Sequence, residues 1–442
     1  MTGVPQEILA ALEGFAALLV LIVLRCPIAL AMLVVGGVGY AKIAGWAILL
    51  NYLKGTPYHL FANYTLSVIP LFVLMGAIAE RAGLAGDLFA AAEYLFGRRR
   101  GGPAIAVIVA CGAFGAVCGS SVATTATFTR AALPELRRLG YAPGFATGLV
   151  SAGGTLGILI PPSVILVIYA IVTEQNIARL FLAALLPGLL AVGLYAAAVS
   201  VTVRLRPDLA GEGEARGERD ALRRVVPVLG VGAMVLGGIY GGVFTPTEGA
   251  SVGAVAVLMV ALARRGFGVW GLGEALRATA ETSGMIFAIL LGANVFNAFL
   301  ALTQAPEMLQ VWLEGLALPP IGVLVAILVL YVLLGAVMDE LAMILLTLPV
   351  FFPLITALDF GLTRDEVAIW FGVLVLIVVG MGLISPPVGL NVFVAGGIAR
   401  DVALPRIFAG VLPFLAADAV KLALCVAWPS LSLGLVRSLT AA

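Results

Sequence analysis

Charge is what this sequence has least of. Only 11% of its 442 residues are Asp, Glu, Lys or Arg, against about a quarter in a soluble domain. With so few charges there is not enough polar surface to coat a water-soluble exterior, which excludes an ordinary cytosolic enzyme. The net charge of +1 gives no overall pull on nucleic acid. Histidine is nearly missing. The single His59 removes most zinc, haem and histidine-based catalytic schemes, so no enzyme activity and no organic cofactor is expected. Cysteine is sparse and unpaired in pattern: Cys26, Cys111, Cys118 and Cys425 form no CxxC and read as small core residues. A basic segment ahead of the first apolar run is also lacking, so 5–24 reads as a first membrane helix and not as a cleaved leader.

Apolar residues are what remain. They make up 62% of the chain, and the mean hydropathy is +1.14. The runs are helix-length, not the ten-residue alternating segments of an outer-membrane barrel. Hydropathy places spans near 5–24, 27–50, 64–79, 143–176, 178–203, 225–244, 246–263, 283–303, 366–399 and 408–428. Two further stretches, 103–135 and 320–356, are interrupted by Gly119-Ser120-Ser121 and by Asp339-Glu340. Arg204–Arg224 is polar and reads as a solvated loop.

The distribution of basic residues tests this layout. With the 204–224 loop cytoplasmic and both interrupted stretches taken as re-entrant hairpins, 18 basic residues fall inside and five outside. Taking either hairpin as a full crossing inverts the later loops and degrades that bias. The expected organisation is therefore N-terminal helices (1–63), a first repeat (64–203) with its hairpin at 103–135, the loop, helices and a connector (225–282), a second repeat (283–428) with its hairpin at 320–356, and a tail (429–442). The fold class is an all-α polytopic membrane protein in contact with the lipid bilayer.

The two repeats carry the same order of elements and start on opposite sides. Gly115-Ala116-Val117 and Gly335-Ala336-Val337 approach the two hairpin tips, and Gly157…Pro161-Pro162 matches Gly382…Pro386-Pro387 at a constant offset of 225. Inverted repeats with interrupted helices are how secondary transporters place their sites near the midplane. A Pro-Pro pair removes two backbone donors and frees carbonyls of the preceding turn. Each pair reads either as a packing kink or as a source of hard oxygen ligands for a small cation. Ser120, Ser121, Thr124, Thr125 and Thr127 supply hydroxyls that either bond back into their own helix or face a ligand. Half-helix N-termini beside them favour an anion.

Asp339 at the second tip either caps a half-helix or contacts ion or substrate, and Glu340 reads as solvent-facing. Arg130 lies nine residues beyond Ser121, about 13 Å along a helix, and reads as a partner for an anion or a residue of the cytoplasmic mouth. Ser385 and Asn391 are second-site ligands or helix pins. Thr245-Pro246-Thr247-Glu248 reads as a capping box, Asp418 and Lys421 as a buried pair, and His59 as a surface residue of an outer loop. Segments 84–97 and 305–318 suit helices lying in the interface.

Four stretches, GSSVATTATF (119–128), GTLGILIPPSVILVIYA (154–170), FTPTEGASVG (244–253) and GLISPPVGLNVFVAGGIA (382–399), together resemble the large membrane subunit of tripartite ATP-independent periplasmic (TRAP) transporters, the DctM-like family. The resemblance covers nearly the whole chain. It implies a sodium-driven elevator in the bacterial inner membrane, importing an organic anion of the carboxylate or sialic acid class. It also implies two partners, a periplasmic substrate-binding protein and a small four-helix membrane subunit. By position, one Na+ site uses Ser120, Ser121 and backbone oxygens around Gly157, Ile160 and Pro162. The second uses the Gly335–Asp339 turn, Met338 included, with Gly382, Ser385 and Val388. Gly119, Thr124, Thr155, Arg130 and Asn391 are the substrate candidates. Phe128 and Arg130 depart from the small or aliphatic residues usual there. The nearest rival is a stand-alone sodium/dicarboxylate symporter of related architecture. A passive channel is disfavoured by the repeat, and an intramembrane protease by the want of its serine, histidine or aspartate motifs.

Overall fold

A computed structural model of the chain describes residues 6–211, 219–264, 267–305, 307–308 and 318–440, and among these every regular element is a helix. The order is α1 (Gln6–Val23), α2 (Ile28–Ala44), α3 (Trp46–Phe61), a short 3-10 turn (Tyr64–Ser67), α4 (Val68–Arg81) and α5 (Leu84–Phe96). The first interrupted stretch follows as α6 (Gly102–Cys118), α7 (Ser121–Ala131) and α8 (Leu133–Arg138). After it come α9 (Pro143–Leu159), α10 (Val164–Val172), α11 (Ile177–Leu205), α12 (Asp220–Tyr240), α13 (Pro246–Leu262) and α14 (Gly268–Leu302). The chain ends with α15 (Pro320–Gly335), α16 (Glu340–Ala357), α17 (Arg364–Gly382), α18 (Leu390–Ile398), α19 (Leu404–Ala427) and α20 (Ser430–Thr440). Seven described helices are long and apolar enough to cross a membrane, or eight if the bent pair α9–α10 is counted as one span. The protein is a multi-pass membrane protein.

The first hairpin is settled by two rings. Phe114 and Phe128 meet edge to face with centroids 5.7 Å apart. Fourteen residues along an unbroken helix would separate them by about 21 Å, so the limbs fold back on each other at Gly119. That residue closes α6 in the left-handed region, with φ +65°, where an L side chain is strained. The two proline pairs fall at the other breaks: α9 and α10 meet at 43° across Ile160–Ser163, and α17 and α18 are separated by Leu383–Gly389. Both Pro-Pro bonds are cis.

Several expectations are corrected. The run 27–50 is not one span: Gly45, with φ +92°, breaks it, and α3 continues to Phe61. His59 accordingly lies in the last turn of α3, not in a loop. Hydropathy missed this helix because Asn51, Lys54 and Pro57 dilute its apolarity. The connector before 283 is helical and continuous with the following span in the 35-residue α14. In the 429–442 tail, α20 packs along α11 and buries Leu433 and Val436. Segment 84–97 is indeed one helix, yet it lays Leu84, Leu88 and Phe89 against α6 and α12. Its counterpart at 305–318 lies largely outside the described residues. Within the 204–224 stretch, the start of the loop folds back, and the Ala142 amide donates to the Leu209 carbonyl at 3.1 Å.

The helices divide into two compact units that cut across the repeats: 1–67 with 280–327 and 341–368, and 68–279 with 328–340 and 369–442. In the first, α2 lies so close to α14 that a Cβ on Gly36 would stand 2.6 Å from the Phe296 Cα. The Tyr52 hydroxyl donates to Asn294 Oδ1 at 2.6 Å and ties α3 to the same helix. In the second, α13 packs on α4 and opens with the expected capping box, Thr245 and Glu248 each bonding the other's backbone amide. A second box, Thr363 with Glu366, starts α17. Small residues set the helix spacing because apolar helices gain no hydrophobic drive from associating in lipid and rely on close packing. Gly36→Ala is therefore expected to cost about 1–3 kcal/mol by overpacking, measured as a lowered melting temperature of the purified protein, with Gly36→Leu giving little folded material.

Candidate functional site

The larger unit holds both proline breaks, and each is met by a hairpin tip in the same way. In the first half a Cβ on Gly157 would lie 2.7 Å from the Ser120 carbonyl oxygen and 2.7 Å from Thr124 Oγ1, while one on Gly115 would lie 2.9 Å from the Gly157 Cα. In the second half a Cβ on Gly382 would lie 2.6 Å from the Gly335 Cα. The glycine before each proline pair thus touches the glycine that leads into each hairpin tip. The segment beyond the prolines touches the tip as well. The Val164 amide donates to the Gly119 carbonyl at 3.4 Å, and the amides of Val388 and Gly389 donate to the Ala336 carbonyl at 3.1 and 3.3 Å. Two sequence pairings read from spacing are therefore contacts of matching kind in space.

The hydroxyls divide by what they already bond. Ser120 caps α7, its Oγ accepting from the Ala123 amide at 3.4 Å. Thr124 bonds back to the Ser120 carbonyl at 2.7 Å, and Ser385 to the Met381 carbonyl at 2.7 Å. Thr155 is turned away from the hairpin, with its Oγ1 2.7 Å from the Ala152 carbonyl and 3.1 Å from the Tyr195 hydroxyl. Asn391 Nδ2 donates to Ser121 Oγ at 2.7 Å and to the Ser151 carbonyl at 3.2 Å, so a residue of the second half pins two helices of the first. Asn391 is fully buried, and its Oδ1 has no hydrogen-bond partner; the same holds for Thr125 Oγ1. Ser121, Thr125, Ser151 and Asn391 form a buried polar cluster beside Gly154, whose missing Cβ leaves room for Thr125 Oγ1. Sequence reading had not singled out Ser151, which lies in a run of small residues.

Backbone oxygens complete the geometry. Pro161 and Pro162 have no amide to return to the carbonyls of Gly157 and Ile158 four residues earlier. In the second half the equivalent carbonyls are used: Gly382 accepts from the Ser385 amide at 3.0 Å, and Leu383 from the Asn391 amide at 3.0 Å. Pro162, Gly335, Met338, Gly382 and Val388 lie at or beside the hairpin tips and helix breaks. Among the described residues, no group of three His, Cys, Asp or Glu gathers that could hold a metal ion. The oxygens at the two breaks are mainly neutral carbonyls and hydroxyls.

Of the charged candidates, Arg130 lies away from the tips. Arg130 ends α7 at the limb opposite Ser120, pairs with Glu80 at 3.8 Å and leaves its side chain 65% exposed. Glu340 is only half-buried, yet its Oε2 is shut from solvent without a hydrogen-bond partner. The expectation that it faces solvent therefore fails for that oxygen. Arg137 reaches from α8 to the loop after α18 and holds Asp401 with both nitrogens, at 3.0 and 3.1 Å. That hydrogen bond draws the Asp401 carboxyl below its ordinary range. Asp87 of α5 is clamped between Arg264 and Arg224.

Residues 15–431 match the family described as the tripartite ATP-independent periplasmic transporter, DctM component. The chain belongs to that family. It is 34% identical over 379 residues to the C4-dicarboxylate TRAP transporter large permease protein DctM of Pseudomonas aeruginosa, covering 84% of this chain and 86% of the other. It is 29% identical over 373 residues to the sialic acid TRAP transporter large permease protein SiaM of Vibrio cholerae, covering 84% and 86%. Among solved structures it is similar to the YdaH transporter of Alcanivorax borkumensis, with a TM-score of 0.65 and 17% identity over 88% of this chain and 90% of that one. That last likeness speaks for the fold alone. The protein is a TRAP large permease subunit, and its relatives are transporter permeases, not enzymes.

Asn391→Ala leaves Ser121 Oγ and the Ser151 carbonyl without their shared donor. It is expected to lower stability by about 1–3 kcal/mol, read from the melting temperature in detergent. Asn391→Asp, which replaces the donor with a second acceptor facing the Ser151 carbonyl, should do no better.

Proposed function

We propose that this TRAP large permease works as a sodium-coupled importer of an organic anion of the carboxylate or sialic acid class. The single observation that carries the reading is the twofold contact between hairpin tip and proline break. In each half it gathers unwound backbone, hydroxyls and helix N-termini at one point. One sodium ion is assigned to Ser120, Ser121 and the carbonyls around Gly157, Ile160 and Pro162. A second is assigned to the Gly335–Asp339 turn with Met338, Gly382, Ser385 and Val388. The unreturned carbonyls of Gly157 and Ile158 support the first, because unwound backbone in a membrane needs a partner or a lined cavity.

The solute carboxylate is assigned to the amide-rich starts of α7 and α10 near Gly119, Thr124 and Asn391. Helix N-termini favour an anion by their orphan amides and dipole. Arg130 serves at the cytoplasmic mouth. Relatives named for C4-dicarboxylates and for sialic acid support the solute class. A periplasmic binding protein hands over the solute, and a small four-helix subunit braces this chain in the bacterial inner membrane. Movement is by an elevator, in which hairpins and broken helices travel together.

Uptake into proteoliposomes holding the complex, with its binding protein outside, is expected to rise with external sodium and to stay near background in choline. The double variant Ser120→Ala with Ser121→Ala should raise the half-saturating sodium concentration about thirtyfold, since each of the two hydroxyl ligands is worth on the order of 1 kcal/mol. Unchanged sodium dependence would refute the first site. Uptake of equal rate without a binding protein would favour a stand-alone symporter.

A further inference from the structure

The Asp418–Lys421 pair is more than a self-satisfied couple on one helix. Lys421 Nζ donates to Asp418 Oδ1 at 2.6 Å, with the two side chains 4% and 1% exposed. Left there, the pair would tie nothing together, and well-packed apolar residues would serve stability as well or better. Its second oxygen makes the difference. Asp418 Oδ2 accepts from the Tyr195 hydroxyl of α11 at 2.8 Å, and that hydroxyl lies 3.1 Å from Thr155 Oγ1 of α9. Lys421 Nζ also stands 5.6 Å from the centre of the Tyr195 ring.

Counting protons gives the chain a direction. Tyr195 has one hydroxyl proton, and the Asp418 carboxylate, which has none, takes it. The tyrosine oxygen is then an acceptor, so the Thr155 hydroxyl points its proton there, shared with the Ala152 carbonyl at 2.7 Å. The links run from Thr155 to Tyr195 to Asp418, and from Lys421 to Asp418 from the other side. Hydrogen bonds aligned in series polarise and strengthen one another in a low-dielectric interior.

The location decides what this does. Thr155 and Gly157 share the last turn of α9 and lie roughly 200° apart around its axis. On the Gly157 side that turn is pressed against the Ser120 carbonyl and Thr124; on the Thr155 side it is held by the hydrogen-bonded chain. Further down, α9 meets α19 through glycines, a Cβ on Gly148 falling 2.6 Å from the Gly410 carbonyl carbon. Contacts between glycines fix a distance but not a rotation, whereas hydrogen bonds fix a direction. Resting on the proposed sodium reading of this break, we infer that Tyr195, Asp418 and Lys421 are positioning residues that set the rotation of the last turn of α9, and so the aim of the Gly157 and Ile158 carbonyls at the ion.

The test uses the purified full-length chain and sodium chloride as probe, with choline chloride at equal ionic strength as the reference. Sodium-dependent stabilisation gives a half-saturating concentration. Tyr195→Phe keeps the ring and removes only the hydroxyl; it is expected to raise that concentration about three- to tenfold, the loss of one buried hydrogen bond. Asp418→Asn alone strands a buried ammonium and is expected to fold poorly. The paired variant Asp418→Asn with Lys421→Met removes both charges and should reproduce the effect of Tyr195→Phe. Wild-type sodium half-saturation in both Tyr195→Phe and the paired variant, whatever their melting temperatures in choline, overturns the inference. If the wild-type chain shows no response to sodium, the sodium reading fails by itself. Hydrogen exchange of the 152–164 amides then decides: faster exchange confined to that segment in Tyr195→Phe supports the positioning role, and unchanged exchange ends it.

Discussion

A backbone carbonyl or amide left without a partner in hydrocarbon costs several kcal/mol, and two hairpin tips and two proline pairs interrupt the described helices of the larger unit. Each interruption survives because another segment reaches the exposed turn, and that reach depends on glycine. Gly157 admits the Ser120 carbonyl and Gly382 admits Gly335, each at a distance no Cβ could tolerate. The close approach lets the Gly119 and Ala336 carbonyls accept amides from beyond the proline pairs. Take away either glycine and the hairpin tip withdraws, leaving both the tip and the broken helix with orphaned polar groups. The hairpins, the breaks and the polar cluster are thus one constraint expressed several times.

That constraint explains how much could be read from sequence. The repeat was legible because both of its signatures are made of residues with strong backbone consequences, Gly-Ala-Val before a tip and Gly with Pro-Pro at a break. The capping box at Thr245 was legible for the same reason, as was the Asp418–Lys421 spacing. What escaped were features set by tertiary contact. Nothing local marks Ser151 as the acceptor for Asn391, or Tyr195 as the link between Thr155 and Asp418, because their partners lie 240, 40 and 223 residues away in the chain. Hydropathy measures apolarity and not helicity, which is why the expected span stops at 50 while α3, with its asparagine, lysine and proline, runs on to Phe61. It also cannot tell a helix resting on lipid from one resting on protein, so α5 was assigned to the interface although it covers α6.

The two halves are alike in contact yet not in chemistry. In the first, the proline pair leaves the carbonyls of Gly157 and Ile158 unreturned by their own helix, and hydroxyls of α7 crowd the break. In the second, the matching carbonyls already accept from Ser385 and Asn391. Asn391 spends its side-chain amide on the first half rather than its own. The second half thereby helps to hold the first in shape. The first break accordingly keeps more carbonyl oxygens uncommitted than the second.

Scarce charge is spent in keeping with this division. Ion pairs such as Arg137 with Asp401 and Arg130 with Glu80 are partly solvated, where such pairs are worth little individually. Asp418 and Lys421 are the opposite case, paying full desolvation deep among apolar helices. A buried pair is poor value as stability alone. It becomes intelligible when its free carboxylate oxygen is followed through Tyr195 to Thr155, because the chain then ends on the helical turn that the first hairpin presses from the other side. Neutral hydroxyls and carbonyls face the break, while the charge that orients them stands one layer behind. That separation keeps the ammonium away from the carbonyls of Gly157 and Ile158, while the hydrogen bonds through Tyr195 still reach the turn that carries them.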